Sequence, residues 1–416
     1  MDLKSGYPFW AVKNGLMRAF PPLDADLRCE VAVVGGGITG ALVANALASE
    51  GFDVAVFEQR DIAWGSTCAS TALLQYEIDT HLVDLAKQFG EVDAVLAYQS
   101  CVEAIHGLQG LAREVGDIDF KMQGSIYYAS NRRDAKVLRP EFELRRRLGF
   151  DVDWLDADTL QSDYAIDAPG AILSHVAARV DPYRLTYRLL ARLQRRGSNV
   201  FDRTSIASIE AGPRQLTLKT GDGHTIRCRH VVMAAGYANQ NWLRRKVAAN
   251  RSSYAFMSDP VDFSSLPYLA NTLVWETARP YLYLRSTGDG RLLVGGEDDS
   301  IDLPARRDAR VQKKAGKLAR KVGKLFPQLD FRPAYSWAGT FAETRDGLPY
   351  FGAHPQYGPR VHFAMAYGGN GITYSMIGAG LIRAAITGRK HPLQALFGFG
   401  RKGAPAGRLS RFVTLP

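Results

Sequence analysis

Three glycines near the start of the chain have a spacing that could hold a phosphate group. Gly35, Gly37 and Gly40 form the pattern G-x-G-x-x-G directly after residues 31–34, an apolar run with the valine content of a buried parallel strand. In this pattern the first glycine allows a tight turn, the second lets the backbone approach a pyrophosphate, and the third permits close packing of helix on strand. Residues 41–49 predict the helix whose N-terminus would face the anion. The pattern therefore predicts a dinucleotide-binding site.

An acidic residue follows at the distance that a ribose-binding group requires. Residues 53–57 predict a second strand, and Glu58 ends it, roughly twenty residues after the glycines. A carboxylate there accepts hydrogen bonds from the ribose hydroxyls and repels a 2′-phosphate, so FAD or NAD is favoured over NADP. The alternative interpretation is a glycine-rich turn in another kind of α/β protein.

Two further glycine turns favour FAD over NAD. Residues 229–234 predict a strand that runs into Ala235 and Gly236, and residues 361–371 predict another strand with a glycine-rich turn. Residues 372–387 then predict an apolar helix. Three turns directed at one cofactor suit an extended FAD molecule better than a nicotinamide dinucleotide, although each turn alone could be only a turn.

The order and spacing of these motifs resemble the glycine/D-amino-acid oxidase family, which includes sarcosine oxidases and many FAD-dependent oxidoreductases of bacteria. The resemblance covers nearly the whole chain. The matching segments are residues 31–40, Glu58, 65–71, 180–182, 231–236, 295–296, 337–349 and 368–371.

The resemblance implies an α/β fold in which a Rossmann-type FAD-binding domain is interleaved with an α+β substrate domain containing a mixed sheet. It assigns residues 1–95, 173–238 and 336–416 to the FAD-binding domain. The substrate domain would comprise residues 96–172 and 239–335.

The resemblance also assigns residues to the cofactor. The implied FAD-binding residues are Gly35, Gly37, Ile38, Thr39, Gly40, Glu58, Gln59, Arg60, Gly65, Ser66, Thr67, Thr71, Ile206, Ala235, Gly236, Gly339, Asn370, Gly371, Ile372 and Thr373. Gly339 stands where monomeric sarcosine oxidases have the cysteine that bonds to the flavin, so FAD is expected to be non-covalent. Cys68 lies in the same flavin loop; a small buried packing residue is the favoured interpretation, and a reactive thiol is the alternative.

The resemblance implies oxidation of a C–N bond in a small amine or amino acid, D-amino acids included, by hydride transfer to flavin N5. This chemistry needs a neutral amine, a correctly aimed α C–H bond and a cavity that excludes water. The candidate catalytic residues are Tyr283, Arg285 and Tyr254. Tyr283 and Arg285 are two residues apart on a predicted strand and so share a face. Alternatively, the tyrosines pack in the sheet and Arg285 forms a surface ion pair.

Several basic residues that relatives use to hold a carboxylate are missing. Phe341 replaces the arginine of glycine-oxidase-like members, and Ala72 and Thr373 stand where sarcosine oxidases have basic residues. Either another cation, Arg285 or Arg279, binds the carboxylate, or the substrate is an amine without one.

One position bears on the reaction with oxygen. Leu293 stands where sarcosine oxidases place a lysine beside the flavin. A fixed cation there would stabilise the superoxide-like charge that forms as reduced flavin reacts with oxygen. We therefore predict a dehydrogenase or slow oxidase with an unidentified electron acceptor. Arg291, on the same face, is an alternative source of the charge.

The composition is that of a globular protein large enough for two domains, with 416 residues of which 46% are hydrophobic and 23% charged. The net charge of +10 is spread over short clusters without interleaved aromatic residues, so no nucleic-acid partner is expected. Residues 310–326 predict a basic amphipathic helix. It packs on the core or, alternatively, contacts a membrane surface or an acidic partner.

The four cysteines lie far apart, which predicts neither a metal site nor disulfides and fits the cytoplasm. The first thirty residues predict a surface tether and no secretory signal. The uncharged run 31–48 contains three consecutive glycines and predicts no membrane span. Competing functions are an electron-relay subunit or RNA-modification flavoprotein that acts with a partner, and an NAD-dependent dehydrogenase. The oligomeric state is not predicted.

Overall fold

The computed structural model describes residues 2–212, 214–300 and 302–401. The helices are α1 (Phe9–Asn14), α2 (Ile38–Ala48), α3 (Ser66–Ala69), α4 (Leu82–Phe89), α5 (Glu91–Val115), α6 (Arg132–Arg147), α7 (Ala157–Tyr164), α8 (Pro182–Arg195), α9 (Pro304–Asp308), α10 (Val311–Leu325) and α11 (Gly371–Thr387). Short 3-10 helices span Gly236–Trp242, Pro267–Ala270 and Pro392–Gln394.

The strands belong to three sheets. They are β1 (Lys4–Gly6), β2 (Leu27–Arg28), β3 (Val31–Val34), β4 (Val54–Phe57), β5 (Leu73–Gln75), β6 (Lys121–Tyr128), β7 (Val152–Leu155), β8 (Ala171–Arg179), β9 (Asn199–Phe201), β10 (Ile206–Ala211), β11 (Leu216–Thr220), β12 (Thr225–Cys228), β13 (His230–Met233), β14 (Ala249–Pro260), β15 (Thr272–Glu276), β16 (Leu282–Ser286), β17 (Arg291–Asp299), β18 (Pro333–Glu343), β19 (Tyr350–Ala353) and β20 (Val361–Met365).

A six-stranded sheet carries the predicted dinucleotide site. Its order is β19-β20-β13-β3-β4-β9, and every neighbouring pair is parallel except β19 with β20. β3 and β4 consist entirely of buried apolar residues, as expected for parallel strands covered on both faces. Helix α2 starts directly after the glycine loop and packs against α8 and α11. The Rossmann-type part of the predicted fold is therefore confirmed.

A ten-stranded mixed sheet forms the other large layer. Its order is β1-β18-β14-β17-β16-β15-β6-β8-β5, with β7 paired to β8. β15 and β6 are parallel, and the other pairs are antiparallel. This confirms the predicted mixed sheet. A smaller sheet has the order β10-β11-β12-β2.

The ten-stranded sheet takes strands from both sets of predicted domain ranges. β5 and most of β18 lie in ranges predicted for the FAD-binding domain, yet both pair in this sheet. A shared sheet does not by itself define a domain boundary, so the predicted boundaries stay a prediction. Within the predicted range 336–416, residues 402–416 lie outside the described part of the chain.

The basic helix α10 packs on the protein's own core. Its buried residues Val311, Ala315, Leu318 and Val322 contact the back of the ten-stranded sheet at β14, β17 and β18. The apolar face is thus covered by protein, as the favoured interpretation predicts. Across residues 2–212, 214–300 and 302–401, no helix has the length and apolar character needed to cross a membrane.

The N-terminal residues are more than a surface tether, which corrects that expectation. β1 pairs with β18 as the edge strand of the large sheet, and Lys4 lies opposite Gly339. Phe9, Trp10 and Phe20 are buried. The segment therefore belongs to the core because its apolar side chains have partners there.

One arginine holds this edge strand in place. Arg307 of α9 is fully buried. Its guanidinium donates to Ser5 Oγ at 2.7 Å and to the carbonyl oxygens of Asp2 and Lys4 at 3.0 and 3.1 Å. It also pairs with Asp302 at 3.0 Å. The buried guanidinium thus connects α9 to β1 through several hydrogen bonds at once.

We predict that Arg307→Ala lowers the free energy of unfolding by about 3–5 kcal/mol, because removing one partner leaves a buried charge and carbonyl groups unpaired. Urea titration followed by tryptophan fluorescence measures the change. Arg306→Ala is the matched control, since Arg306 is exposed on the same helix, and it should change stability by no more than about 0.5 kcal/mol. Equal stability of the two variants would contradict the anchoring role.

Candidate active site

The glycine loop and the acidic residue after β4 form one hydrogen-bonded unit. The N–H of Gly36 donates to Glu58 Oε2 at 2.8 Å, and the N–H of Arg60 donates to Oε1 at 3.0 Å. The N–H of Ile38 donates to Thr67 Oγ1 at 3.0 Å. Burial raises the pKa of Glu58, while the two backbone N–H groups lower it. These bonds join the loop to β4 and to α3.

The loop positions require glycine. Gly35 has φ +120°, and a Cβ atom there would overlap the carbonyl of Ala234. A Cβ atom at Gly40 would overlap the carbonyl oxygen of Gly35. At Gly37 a Cβ atom would lie only 3.0 Å from Thr67 Oγ1, and Gly37 lines the cavity. The backbone is therefore bare where a pyrophosphate has to approach, which fits the phosphates of FAD.

A single cavity of about 420 Å³ runs from this loop to the ten-stranded sheet. Every residue predicted to bind the cofactor lines it except Gly40, which packs against Gly35 instead. The wall thus brings together segments that are far apart in sequence, from Leu3 to Thr373. A long cavity of this kind suits an extended dinucleotide. The role of each lining residue stays a prediction.

The structure supports packing as the role of Cys68. Its thiol is fully buried and donates to the carbonyl oxygens of Gly65 and Trp64 at 3.1 and 3.5 Å. Burial raises the pKa of this thiol to about 12, so it stays protonated near neutral pH. Gly339 lies in the cavity wall opposite Ser253 in the β14–β18 pair, and it offers no side chain that could bond to a flavin.

The far end of the cavity is formed by aromatic residues of β15 and β16. Tyr283 lines it, and its hydroxyl lies 3.2 Å from Ser253 Oγ. The ring of Tyr283 lies across Gly295, the residue paired with it in β17, where any side chain would overlap the ring. Trp275 stacks on Tyr127 at 3.6 Å between ring centroids. Burial raises the pKa of Tyr283 to about 12, so its phenol remains neutral.

Arg285 is not in the cavity wall, which corrects its prediction as a substrate-binding cation. It shares a face with Tyr283, as expected, but lies further along the strand. Its guanidinium is fully buried and donates to the carbonyl oxygens of Thr71, Ser286 and Val180 at 2.9 to 3.1 Å. These carbonyl groups take up N–H donors on all three guanidinium nitrogens, which a carboxylate would need. Arg285 therefore has a structural role.

Tyr254 contributes to the wall, but its hydroxyl faces away from the cavity. Neighbouring residues of a strand point to opposite faces, and Ser253 takes the cavity side. The Tyr254 hydroxyl donates to Asp299 Oδ2 at 3.1 Å, and Lys314 of α10 lies 5.2 Å from the ring centroid. Tyr254 thus lies in the wall as predicted, with its hydroxyl engaged by Asp299, and its catalytic role stays a prediction.

Arg279, the second candidate cation, does line the cavity. Its guanidinium lies 3.1 Å from the centroid of the Tyr281 ring. Partial removal from solvent lowers its pKa, while the nearby phenol of Tyr127 and carboxylates of Asp79 and Asp298 raise it. Among the ion pairs formed within residues 2–212, 214–300 and 302–401, none includes Arg279. A guanidinium stacked on an aromatic ring with free donors suits a carboxylate ligand.

The residues discussed for the oxygen reaction lie elsewhere. Leu293 is fully buried in the sheet and is not part of the cavity wall. Arg291 donates to the carbonyl oxygen of Ser258 at 2.9 Å, also outside the wall. Of the basic side chains in the described part of the chain, Arg60 at the dinucleotide end and Arg279 at the far end line the cavity.

Three carboxylates at the far end were not identified from the sequence. Asp79 accepts from the N–H of Gly369 at 2.8 Å, Glu343 pairs with Arg251 at 2.7 Å, and Asp298 lies on β17. They come from three separated segments, so no local spacing marks them. No group of His, Cys, Asp and Glu in the described ranges could hold a metal ion.

Comparisons with known proteins agree with this geometry. The profile of the DAO family, described as FAD dependent oxidoreductase, matches residues 30–385. Gamma-glutamylputrescine oxidoreductase of Escherichia coli (strain K12) is 24% identical over 414 residues, covering 97% of this chain and 94% of that protein. Glycine oxidase of Geobacillus kaustophilus (strain HTA426) is 28% identical over 378 residues, covering 87% and 94%.

Solved structures show the same fold. The crystal structure of glycine oxidase from Geobacillus kaustophilus aligns with a TM-score of 0.73 at 23% identity, covering 90% of this chain and 99% of that one. L-Amino acid deaminase from Proteus myxofaciens in complex with anthranilate aligns with a TM-score of 0.76 at 14% identity, covering 96% and 97%. With its glycine loop, hydrogen-bonded Glu58 and continuous cavity, the chain belongs to the DAO family of FAD-dependent oxidoreductases.

Proposed function

We propose that this flavoenzyme oxidises a C–N bond of a small amine or amino acid by hydride transfer to FAD. The observation that carries the proposal is the single cavity, because it joins the dinucleotide-binding loop to a pocket with a free guanidinium. Glycine oxidases and gamma-glutamylputrescine oxidoreductase among the relatives support a substrate of this class.

In this proposal the chain's own groups hold the cofactor without a covalent bond. The bare glycine loop and the N-terminus of α2 receive the pyrophosphate, and Glu58 accepts hydrogen bonds from a ribose. The residues around Gly65–Thr71 and Asn370–Thr373 border the flavin part of the cavity. When bound, FAD supplies the two-electron oxidant for the reaction.

The substrate pocket then positions the reacting bond. Arg279 binds the carboxylate of an amino acid substrate, in place of the predicted Arg285. The rings of Trp275 and Tyr283 exclude water from the space beside the flavin. Positioning of this kind supplies a large part of the rate acceleration, because the reacting groups are held in the geometry that the reaction needs.

We also propose that the reduced enzyme passes its electrons to an acceptor other than oxygen. Cations in the described wall are limited to Arg60 and Arg279, and neither Leu293 nor Arg291 reaches the cavity. The charge that stabilises developing superoxide is therefore missing at the position where sarcosine oxidases place it. This supports a dehydrogenase or slow oxidase.

Glu58→Ala should weaken FAD binding by about ten- to hundredfold. The variant loses hydrogen bonds to a charged acceptor, worth about 1.5–3 kcal/mol in total. Titration of the apoprotein with FAD, followed by flavin fluorescence, measures the affinity. Glu50→Ala, which removes a carboxylate on the turn after α2 and outside the cavity, is the control and should bind FAD normally. Unchanged affinity in Glu58→Ala would remove Glu58 from the cofactor site.

Arg279→Ala should weaken binding of carboxylate-bearing substrates by about ten- to hundredfold, since a hydrogen-bonded charge pair is lost. Anaerobic flavin reduction is measured with glycine, sarcosine, D-alanine and γ-glutamylputrescine in stopped flow. Amines without a carboxylate serve as the control substrates and should reduce the flavin of both proteins at similar concentrations. The affinity of Arg279→Lys for these substrates should fall between those of the wild type and of Arg279→Ala, because lysine keeps the charge without the planar donor pair. Equal losses for all amines would reject carboxylate recognition.

The reaction of reduced enzyme with oxygen tests the acceptor. We expect photoreduced protein mixed with aerated buffer to reoxidise about 10²-fold or more slowly than a sarcosine oxidase treated in parallel, because one stabilising charge is absent. A quinone or an indophenol dye should reoxidise it faster than oxygen does. Reoxidation by oxygen as fast as in the sarcosine oxidase would show that this enzyme is an oxidase.

A further inference from the structure

Strand β17 contains a bulge where it passes the cavity. In its pairing with β14, Tyr254 lies opposite Gly296, and Ser252 lies opposite Asp299. Two steps along β14 thus correspond to three steps along β17. The extra residue is Glu297, whose φ of +54° lies in the left-handed region. A bulge shifts the alternation of side chains by one position and turns the following residue to the other face.

The contacts of the neighbouring residues show the effect of this shift. Glu297 turns to α10, where Lys321 Nζ lies 3.0 Å from its Oε1. Asp299 faces the same side and pairs with Arg310 at 2.7 Å. Asp298, between them, is directed into the cavity. In a regular strand Glu297 would face the cavity and Asp298 would face α10.

Asp298 thus presents a carboxylate to the substrate end of the cavity. Its Oδ1 atom is shielded from bulk solvent and has no hydrogen-bond partner among the described residues. A buried acceptor in this state costs free energy unless a ligand completes its hydrogen bonding. The polar and charged groups that face Asp298 from the surrounding elements are Ser253 of β14, Tyr283 of β16, Arg279 before β16, Glu343 of β18 and Asp79 after β5.

We infer that Asp298 accepts a proton from the ammonium group of the substrate before the C–N bond is oxidised. The inference rests on the proposed function, since it assigns the group that converts the bound ammonium into the neutral amine. The arrangement places the carboxylate on one side of the pocket and Arg279 on another. An amino acid can then be held by its carboxylate while its nitrogen faces Asp298.

The proton and electron balance is complete with the groups named. The N–H bond of the ammonium breaks, and an O–H bond forms on the Asp298 carboxylate. The nitrogen lone pair released in this way assists loss of the α-hydrogen as hydride to bound FAD, the oxidant of the established cofactor class. The substrate leaves this step as an iminium, and water hydrolyses it to a carbonyl compound and an amine or ammonia.

The electrostatics of the site suit this role. Burial, with Glu343 and Asp79 nearby, raises the pKa of Asp298 to about 6, while the hydrogen bond from Ser253 and the charge of Arg279 lower it. The carboxylate is therefore ionised above about pH 6 and ready to accept a proton at neutral pH. A general base works best when its pKa lies near the working pH.

The test is the pH dependence of anaerobic flavin reduction at low substrate concentration in the wild type and in Asp298→Asn. The probe is the fastest substrate among glycine, sarcosine, D-alanine and γ-glutamylputrescine. In the wild type the rate should rise as pH passes about 6, where Asp298 ionises, and then level off. In Asp298→Asn the rise should move up to the pKa of the substrate's own ammonium, because only the free amine reacts.

At pH 7 the loss in Asp298→Asn should be about 10²–10⁴-fold, the usual contribution of a general base. Above the ammonium pKa the two rates should converge, which a purely structural defect would not produce. Asp299→Asn is the matched control: it changes the adjacent carboxylate on the opposite face and should keep the wild-type pH profile. FAD content and the visible spectrum report the folding of each variant. Asp298→Glu should restore the wild-type rise in the rate of flavin reduction near pH 6.

The outcomes separate this inference from the proposed function. If no amine or amino acid reduces the wild-type flavin, both are overturned. If substrates reduce it and Asp298→Asn keeps the wild-type rise near pH 6, or loses the same factor at every pH, Asp298 is not the proton acceptor and the proposed function stands. Binding of a non-oxidisable amine, read from the flavin spectrum, is independent of turnover. Its pH dependence should move from about pH 6 in the wild type to the ammonium pKa in Asp298→Asn.

Discussion

A Cβ atom at Gly40 would overlap the carbonyl oxygen of Gly35, and the cofactor site depends on this close contact. It lets α2 start directly after β3, so the first residues of the helix, Ile38 and Thr39, line the cavity. The glycine turn also brings Gly36 next to Glu58, whose carboxylate accepts the N–H of Gly36. The N–H of Ile38 donates to Thr67 Oγ1, so the Gly35–Gly40 contact also positions the loop around residues 65–71. Three segments of the cavity wall therefore share one steric requirement.

The substrate end depends on a different constraint, the two-residue period of β-strands. Ser253 and Tyr283 face the cavity, whereas Tyr254 and Leu284 face the helix layer. Tyr283 can lie flat across the sheet because its partner Gly295 has no side chain. The sheet thus separates an aromatic, partly polar wall on one face from a core of aliphatic residues on the other. One charged group, Asp298, enters the cavity where this period is interrupted.

Much of the cofactor site could be predicted because its determinants are local. The glycine spacing, the acid after β4 and the turn at Asn370 each depend on residues close in sequence. The substrate end could be predicted only in part. The alternation correctly put Tyr283 and Arg285 on one face, but the length of the cavity along β16 is set by tertiary packing. Arg285 lies past its end, under the carbonyl oxygens of Thr71 and Val180.

The carboxylate of Asp298 could not be predicted for a similar reason, because its position depends on a bulge that the local sequence does not show. From the period of β17 alone, Asp298 would face α10, and only the pairing with β14 shows the bulge at Glu297. The direction of the Tyr254 hydroxyl could not be predicted either, since the phase of β14 relative to its neighbours is not encoded locally. Arg279 could be named as a candidate because it is basic, but its free donors become evident only from the ion pairs of its surroundings.

The pairing of β1 with β18 also has a consequence for the order in which the protein is made. Lys4 needs Gly339 as its partner, and the cavity wall contains both Leu3 and Thr373. A ribosome synthesises the first of these segments long before the last, so the nascent chain cannot close the wall during most of translation. Contacts so distant in sequence also slow the search for the native state. Loading of the flavin is therefore an event after synthesis, and the early N-terminal segment has to wait, unpaired, for its neighbour.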